Sequence, residues 1–366
     1  MASRSGVNIK TTIYNTFKGV DFSTDPCLVD RRRSPLCTNM VADSGGMPEK
    51  RCGWRTLHKV GGGAVHGMWT ARFGEAQKSV AHIGTKLYSW DDTDAEPVQL
   101  MAGLHDGRSQ GVLLGGKLWI VTGGELLRYD GTTVTDITAS DDVYIPVTVI
   151  ARKPAGGGEP YEDINLLGRY RENRFLADGT SKVYQLDGVI DAEGNVRVWV
   201  NGEEITSGWT ADRTAGSVTF GTAPEAPAAG QEDNVRIQYP HTVSGYADRI
   251  KKCTIITAYG INATNRIVLS GNPEHPNLDW TSAVNDPTYI PDLSYSAVGL
   301  EGVRIMGYCR IGEYLGIVKE ENAQDSSVWI RKGSLDSDGK AVFTVQAALA
   351  GVGAVSTGCF ANLLDE

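Results

Sequence analysis

From Ala64 onward, apolar and β-branched residues come in short runs, and each run stops at glycine. "AVHGMWTARF" and "SVAHIGTKLYSWD" alternate or run apolar, with Gly74 and Gly84 at their breaks. "GVLLGGKLWIVTGGELLRYDGTTVTDI" reads as three short strands in a row. Gly115-Gly116 and Gly123-Gly124 supply its turns, and Asp130-Gly131 is a strong hairpin signal. Consecutive short strands joined by tight turns predict antiparallel meanders.

The pattern repeats. "HIGTKLYSW" and "LLGGKLWIV" both write Gly-x-Lys-Leu-aromatic, which predicts equivalent inner strands in neighbouring meanders. "INATNRIVLSGNPEHPNLDWTS" and "RIGEYLGIVKEENAQDSSVWIRKG" fit more loosely. Marks at Lys86, Lys117, Arg266 and Glu313 are separated by 31, 149 and 47 residues. Taking out an insert of about 94 residues brings the long step to about 55, a spacing that suits four-stranded propeller blades. The expected fold is therefore all-β: a β-propeller, left incomplete within this chain. Its parts are an extended N-terminal arm (1–60), a first propeller portion (61–152), an inserted β module (153–246) and a second propeller portion (247–366).

The insert carries its own strand pattern between the flexible "RKPAGGGEPYED" and "YPHTVSGYADR". Val196, Val198 and Val200 alternate with Arg197, Trp199 and Asn201, and Asn201-Gly202 is a hairpin turn. "GSVTFGTAP" and "NVRIQY" add two strands, so a small β-sandwich-like module is expected. At the other end, "FANLLDE" places Phe360, Leu363 and Leu364 where an inner strand would begin. The expectation there is a strand starting at Cys359 whose partner comes from another polypeptide, most simply a C-terminal fragment of the same gene product.

The first sixty residues have little periodicity. Asp25-Pro26, Ser34-Pro35, Gly45-Gly46 and Met47-Pro48 punctuate them. Too few apolar positions are present for a separate core, so the segment reads as an arm that finds its partners on another surface. Arg31, Arg32 and Arg33 form its basic cluster. They are either a solvated turn, or a contact to a neighbouring subunit or a grip on an acidic neighbour.

Charge narrows the functional classes. Over 366 residues the formal net charge is −9, which argues against ordinary groove binding of nucleic acid. A negatively charged channel that DNA slides through remains compatible with it. The six cysteines form no C-x-x-C pair and have no histidine at metal spacing, so free, mostly buried thiols are expected. The N-terminus lacks the apolar core of a signal peptide, which points to synthesis in a cytoplasm.

No motif carries an obvious reaction. "GGGAVHG" lacks the Lys-Ser/Thr of a phosphate loop. "DDTDAE" from Asp91 and "SDDVY" from Ser140 have the residues for glycosidic or calcium chemistry, but solvated hairpin turns account for them better. "DSDG" at Asp336 opens like a calcium loop, yet the position that needs Glu is Ala347. His58, His66, His82, His105, His241 and His275 never share a strand face at two-residue spacing. Trp54, Trp69, Trp90, Trp119 and Trp280 sit in or beside strand ends, where packing explains them better than a sugar platform does. No catalytic, cofactor-binding or metal-ligating residue is assigned.

Two stretches carry a resemblance. "NTFKGVDFSTDP…RRRSPLCTNMVADSGGMPEKRCGWRTL", with Asn39, Met40, Pro48 and Gly53, resembles the opening of bacteriophage structural proteins. "NRIVLSGNPEHPNLDWTSAVNDPTYIPDLSYSAVG" and the following "IMGYCRIGEYLGIVKEE" are similar to the propeller portion of the same proteins. The family is the tail nozzle, or packaged-DNA stabilisation, proteins of short-tailed phages. The resemblance implies a non-enzymatic virion protein without cofactors, made in the host cytoplasm. It further implies a ring of six copies below the portal and adaptor that retains DNA and lets it pass. A tail-tip propeller that binds or degrades glycans is the alternative, resting on tryptophans and carboxylate-rich turns.

Overall fold

The computed structural model describes residues 10–11, 16–56, 58–228, 230, 233–337 and 339–360. They fall into two compact units, Met1–Lys59 and Val60–Glu366.

In the first unit, turns dominate. Asp21 accepts hydrogen bonds from the backbone and hydroxyl groups of Ser23 and Thr24. Among its described residues a hairpin joins β1 (Met40–Ala42) to β2 (Pro48–Lys50). Asp43 holds its turn by accepting from Met47 N–H at 2.7 Å, the local bonding for which Asp is favoured in turns. Strands and turns alike leave Phe22, Leu28, Leu36 and Trp54 in solvent, at 81%, 76%, 76% and 81% exposure.

The second unit is built from strands, and the chain order within four of its sheets is the simplest there is. The first meander runs β3 (Val65–Phe73), β4 (Ala76–Ile83), β5 (Lys86–Trp90), β6 (Val98–Ala102). The second runs β7 (Gln110–Leu114), β8 (Lys117–Val121), β9 (Leu126–Tyr129), β10 (Val134–Asp136). After an inserted segment come β20 (Arg266's partner strand, Ile255–Tyr259), β21 (Arg266–Ser270), β22 (Leu278–Thr281) and β23 (Tyr295–Ala297). The fourth is β24 (Ile305–Ile311), β25 (Tyr314–Lys319), β26 (Ser326–Leu335) and β27 (Ala341–Ala350). In each, every strand pairs antiparallel with the next, and no sheet among the described residues closes on itself.

The repeat marks need correction. Lys86 opens a third strand, β5, whereas Lys117 and Arg266 open second strands, β8 and β21. The two Gly-x-Lys-Leu-aromatic stretches are therefore not equivalent. The counterpart of Lys117 in the first meander is Ala76, where β4 leaves the Gly74-Glu75 turn. A common turn-and-strand grammar wrote the same five residues at two different places.

The inserted segment holds β11 (Val147–Arg152), β12 (Glu159–Pro160), β13 (Tyr170–Phe175), β14 (Val183–Gln185), β15 (Arg197–Val200), β16 (Glu203–Ile205), β17 (Trp209–Asp212), β18 (Ser217–Phe220) and β19 (Val235–Pro240). Six of them form a sheet in the order β12-β11-β13-β19-β15-β16, and three form β14-β18-β17. Phe175, Tyr184, Val198, Val218, Phe220, Ile237 and Tyr239 fill the space between these sheets. The expected boundary at 152/153 cuts this unit one strand late, because β11 pairs in parallel with β13. A six-residue helix, α1 (Tyr246–Lys251), leads back to the third meander.

Apolar cores lie between successive meanders. Val80, Leu87, Leu118, Ile120 and Leu127 join the first to the second. Trp119, Val121, Leu126, Ile256, Leu269 and Trp280 join the second to the third. Ile255, Val268, Ile305, Leu315 and Ile317 join the third to the fourth. Full burial of one such side chain contributes roughly 1.5–3 kcal/mol, so these contacts dominate the cohesion between sheets.

Of the strand expected from Cys359, only Cys359 and Phe360 are described, and these two have no strand geometry. Leu363 and Leu364 lie outside the described residues. The cysteines are free, but only Cys253 is buried; Cys27, Cys52 and Cys359 are exposed. Of the tryptophans expected at strand ends, Trp119 and Trp280 are buried, while Trp54 lies in the arm and not at a strand end.

Candidate functional site

The first strands of the four meanders neighbour one another in chain order: β3 touches β7, β7 touches β20, and β20 touches β24. Gln110 on β7 accepts from Ile256 N–H on β20 at 3.4 Å. These four edges border one cavity of about 660 Å³, lined by Val65–Trp69, Arg108–Val112, Ile255–Thr257, Gly307 and Tyr308, with Thr357 and Phe360 from the C-terminal segment. Glycines keep the edges close. A Cβ at Gly67 would sit 2.5 Å from the Trp69 ring, and one at Gly111 would sit 2.9 Å from its indole nitrogen. A Cβ at Gly307 would meet the Phe360 ring at 2.6 Å. Glycine inside a strand marks such close approach.

A polar cluster sits on one wall. His66 Nε2 lies 2.5 Å from Asp106 Oδ1. His82 is fully buried, with Nδ1 3.1 Å from Ser109 Oγ. The two imidazole centres lie 5.0 Å apart, with the rings tilted by 54°. Burial, and then the neighbouring His66, lower the His82 pKa below 6.5 and favour its neutral form. Ser109 and Asp106 belong to different histidines. No imidazole is bonded on one side to the hydroxyl and on the other to the carboxylate, the relay a serine nucleophile needs.

On the opposite wall Tyr308 donates to Asp279 Oδ2 at 3.0 Å. Arg331 Nη2 reaches both oxygens of Asp279, at 2.6 and 2.8 Å. Burial and the Asp279 carboxylate push the Tyr308 hydroxyl well above its ordinary value. This group ties the third meander (Asp279 on β22) to the fourth (Tyr308 on β24, Arg331 on β26).

The basic cluster of the arm is only partly committed. Arg32 forms a two-pronged bond to Asp30, with Nη2 2.7 Å from Oδ2. Arg33 comes within 4.0 Å of Asp21. Arg31 is exposed, and among the described residues no ion pair engages it. The acidic turns are held by local bonds: Asp91 accepts from Thr93, Asp141 pairs with Arg169 at 3.0 Å, and Asp142 with Arg128 at 2.6 Å. Asp336 accepts from Lys340 N–H in the β26–β27 turn. Among the described residues, no three His, Cys, Asp or Glu side chains are placed to hold a metal ion, and no helix is long and apolar enough to cross a membrane.

The histidine pair escaped the sequence reading because its members lie on different strands. The hairpin around Gly74 places Gly67 opposite His82, and a bulge at Val65–Gly67 brings His66 alongside. Counting outward from the turn would have found them.

No protein-family model matches the chain, and no curated protein matches it. Among solved structures, Kluyveromyces lactis Hsv2 aligns with 78% of this chain and 98% of its own length, at 8% identity and a TM-score of 0.18. At that score the likeness carries no argument.

Proposed function

We propose that the four meanders are blades of a β-propeller left incomplete within the chain. We further propose that the protein is a structural component of a bacteriophage tail, assembled as a ring below the portal that retains DNA and lets it pass. The observation that carries the propeller reading is the shared cavity, toward which all four meanders turn their first strands. In a propeller, radially repeated four-stranded sheets surround a central channel in this way. The tail assignment draws on the resemblance of the arm and of the third and fourth meanders to nozzle proteins. Ring formation draws on the arm, whose large apolar residues stand in solvent without a core of their own. Contacts between copies would cover them, as an interface core requires. At 660 Å³ the cavity of one chain has the size of a small-ligand pocket, so DNA would pass through the hole of the ring. A net charge of −9 per chain would keep phosphates from adhering there.

Negative-stain images and mass photometry of the purified protein test this reading. Rings with an open centre are expected at micromolar concentration. Combining Phe22→Ser, Leu28→Ser, Leu36→Ser and Trp54→Ser should shift the population to single chains without changing the far-ultraviolet circular dichroism. A wild-type protein that stays monomeric, or a variant that still forms rings, counts against it.

A further inference from the structure

The outer face of the six-stranded sheet carries a transverse row of side chains. Arg174 on β13 stands opposite Arg236 on β19, and Arg236 stands opposite Trp199 on β15. Their sequence neighbours Phe175, Val235, Ile237 and Val198 fill the module's core, so the alternation of a strand turns the row away from it. Like charges directly opposite on paired strands are destabilising, and something must hold them.

Part of the answer is Glu172. Its carboxylate accepts from Arg174 Nε at 2.7 Å and from Gln238 at 2.8 Å, and lies 3.5 Å from Arg236 Nε. The rest is stacking: the Arg236 guanidinium lies 4.0 Å from the centre of the Trp199 ring, and Arg197 reaches the same ring at 4.7 Å. Arg197 is neutralised by Glu204, at 2.7 Å. Among the described residues Glu172 is the shared ion-pair partner of Arg174 and Arg236, and the Asp233 carboxylate acts on Arg174 from longer range. Among the described residues no hydrogen bond engages any nitrogen of Arg236 or the Nη atoms of Arg174. Both side chains are about two-fifths exposed, at 41% and 40%, and therefore reachable.

These two guanidinium groups line a cavity of about 320 Å³ together with Trp199, Gly202, Asp233 and Asn234. Asn234 is occupied, donating to the Glu225 carbonyl and accepting from Ala177 N–H. Asp233 uses one oxygen to accept from Ala151 N–H at 3.0 Å, which leaves the other for a ligand. Unspent planar donors call for a carboxylate or phosphate. An acceptor carboxylate in the same cavity calls for a hydroxyl donor on the same ligand, and it would repel a bare anion. We propose that this cavity binds an acidic sugar, its carboxylate on Arg174 and Arg236 and a ring hydroxyl on Asp233. The site belongs to the module alone and stands whether or not the chain forms rings.

Titration of the full-length protein with galacturonate and with N-acetylneuraminate, followed by arginine Nε–Hε resonances, tests the assignment. At least one of the two should shift the Arg174 and Arg236 signals and saturate, while neutral galactose at the same concentration should not. Arg236→Lys keeps the charge but loses the planar fork, and should weaken that binding about tenfold. Asp233→Asn should weaken it too while strengthening any response to inorganic phosphate, because it removes the repelling carboxylate. Silence toward both sugar acids overturns the proposal, and so does an equal response to galactose. A phosphate response matching that of the sugar acids would reduce the site to a general oxyanion trap and equally overturn it. Unaltered sugar-acid affinity in folded Arg236→Lys and Asp233→Asn proteins would do the same.

Discussion

Asp279 and Arg331 are both wholly buried, and each is the other's counter-ion. Desolvating such a pair is costly, and leaving one member alone costs more, roughly 3–5 kcal/mol. Asp279→Ala should therefore lower the urea midpoint strongly. Asp279→Leu combined with Arg331→Met, which removes both charges at similar volume, should recover most of that loss. A double variant no more stable than Asp279→Ala would show that shape and not charge decides this site. His82 gives a prediction of a different kind. Its folded pKa is depressed by burial and by His66, so the unfolded chain binds the proton more readily. Above the ordinary value of 6.5 neither state is protonated and the residue contributes no pH dependence. As the pH falls below that value stability should fall, levelling off once the folded imidazole is also protonated. Thermal midpoints measured from about pH 8 to about pH 5 should show a shallower decline in His82→Gln than in the wild type. Identical slopes would remove His82 from the account. Neither residue announced itself in the sequence. Asp279 stands in "LDWTS", which reads as an ordinary strand, and its partner lies 52 positions away.

At the scale of elements, glycine turns made the meanders readable. Gly115 and Gly116 adopt positive φ, at 61° and 70°, and Asn201 and Gly202 do the same, at 51° and 87°, as the hairpin turns of "LLGGKLW" and "VWVNGEE" require. Sheet membership was less legible. "VTVIAR" has the apolar run of a blade strand, and nothing within it reveals that β11 pairs in parallel with β13. That pairing is decided by residues more than twenty positions further on. The consequence can be measured. β13 is flanked by β11 and β19, so a fragment lacking β11 leaves one edge of β13 unpaired. A fragment spanning 145–242 should give dispersed amide resonances, whereas 153–246 should give broadened, collapsed ones. Equal spectra from the two would mean that β11 is dispensable to the module.

On the scale of the whole molecule, composition and turn spacing sufficed for an all-β chain with an insert between its second and third meanders. They could not show that the meanders face one cavity, because that arrangement rests on a buried cluster that includes Trp119 and Trp280 and on glycines such as Gly67 and Gly111, which pattern reading treats only as breaks. The arm is the converse case: its lack of periodicity was plain, and its tryptophan and leucines stand exposed. The insert has one more consequence. Val147 at its start and Gln238 near its end both stand beside Glu172, one on either side of β13. Two strand spacings, about 10 Å, therefore separate its two connections to the rest of the chain. The host also grips the insert between its ends: Leu166 N–H donates to the Ile290 carbonyl at 2.9 Å, and Leu166 and Leu167 join the core that holds Trp119 and Trp280. The gap between the second and third meanders is thus a socket with a keyed rim: a domain with similarly close ends could replace the module only if it kept the 163–167 segment against which the neighbouring sheets pack.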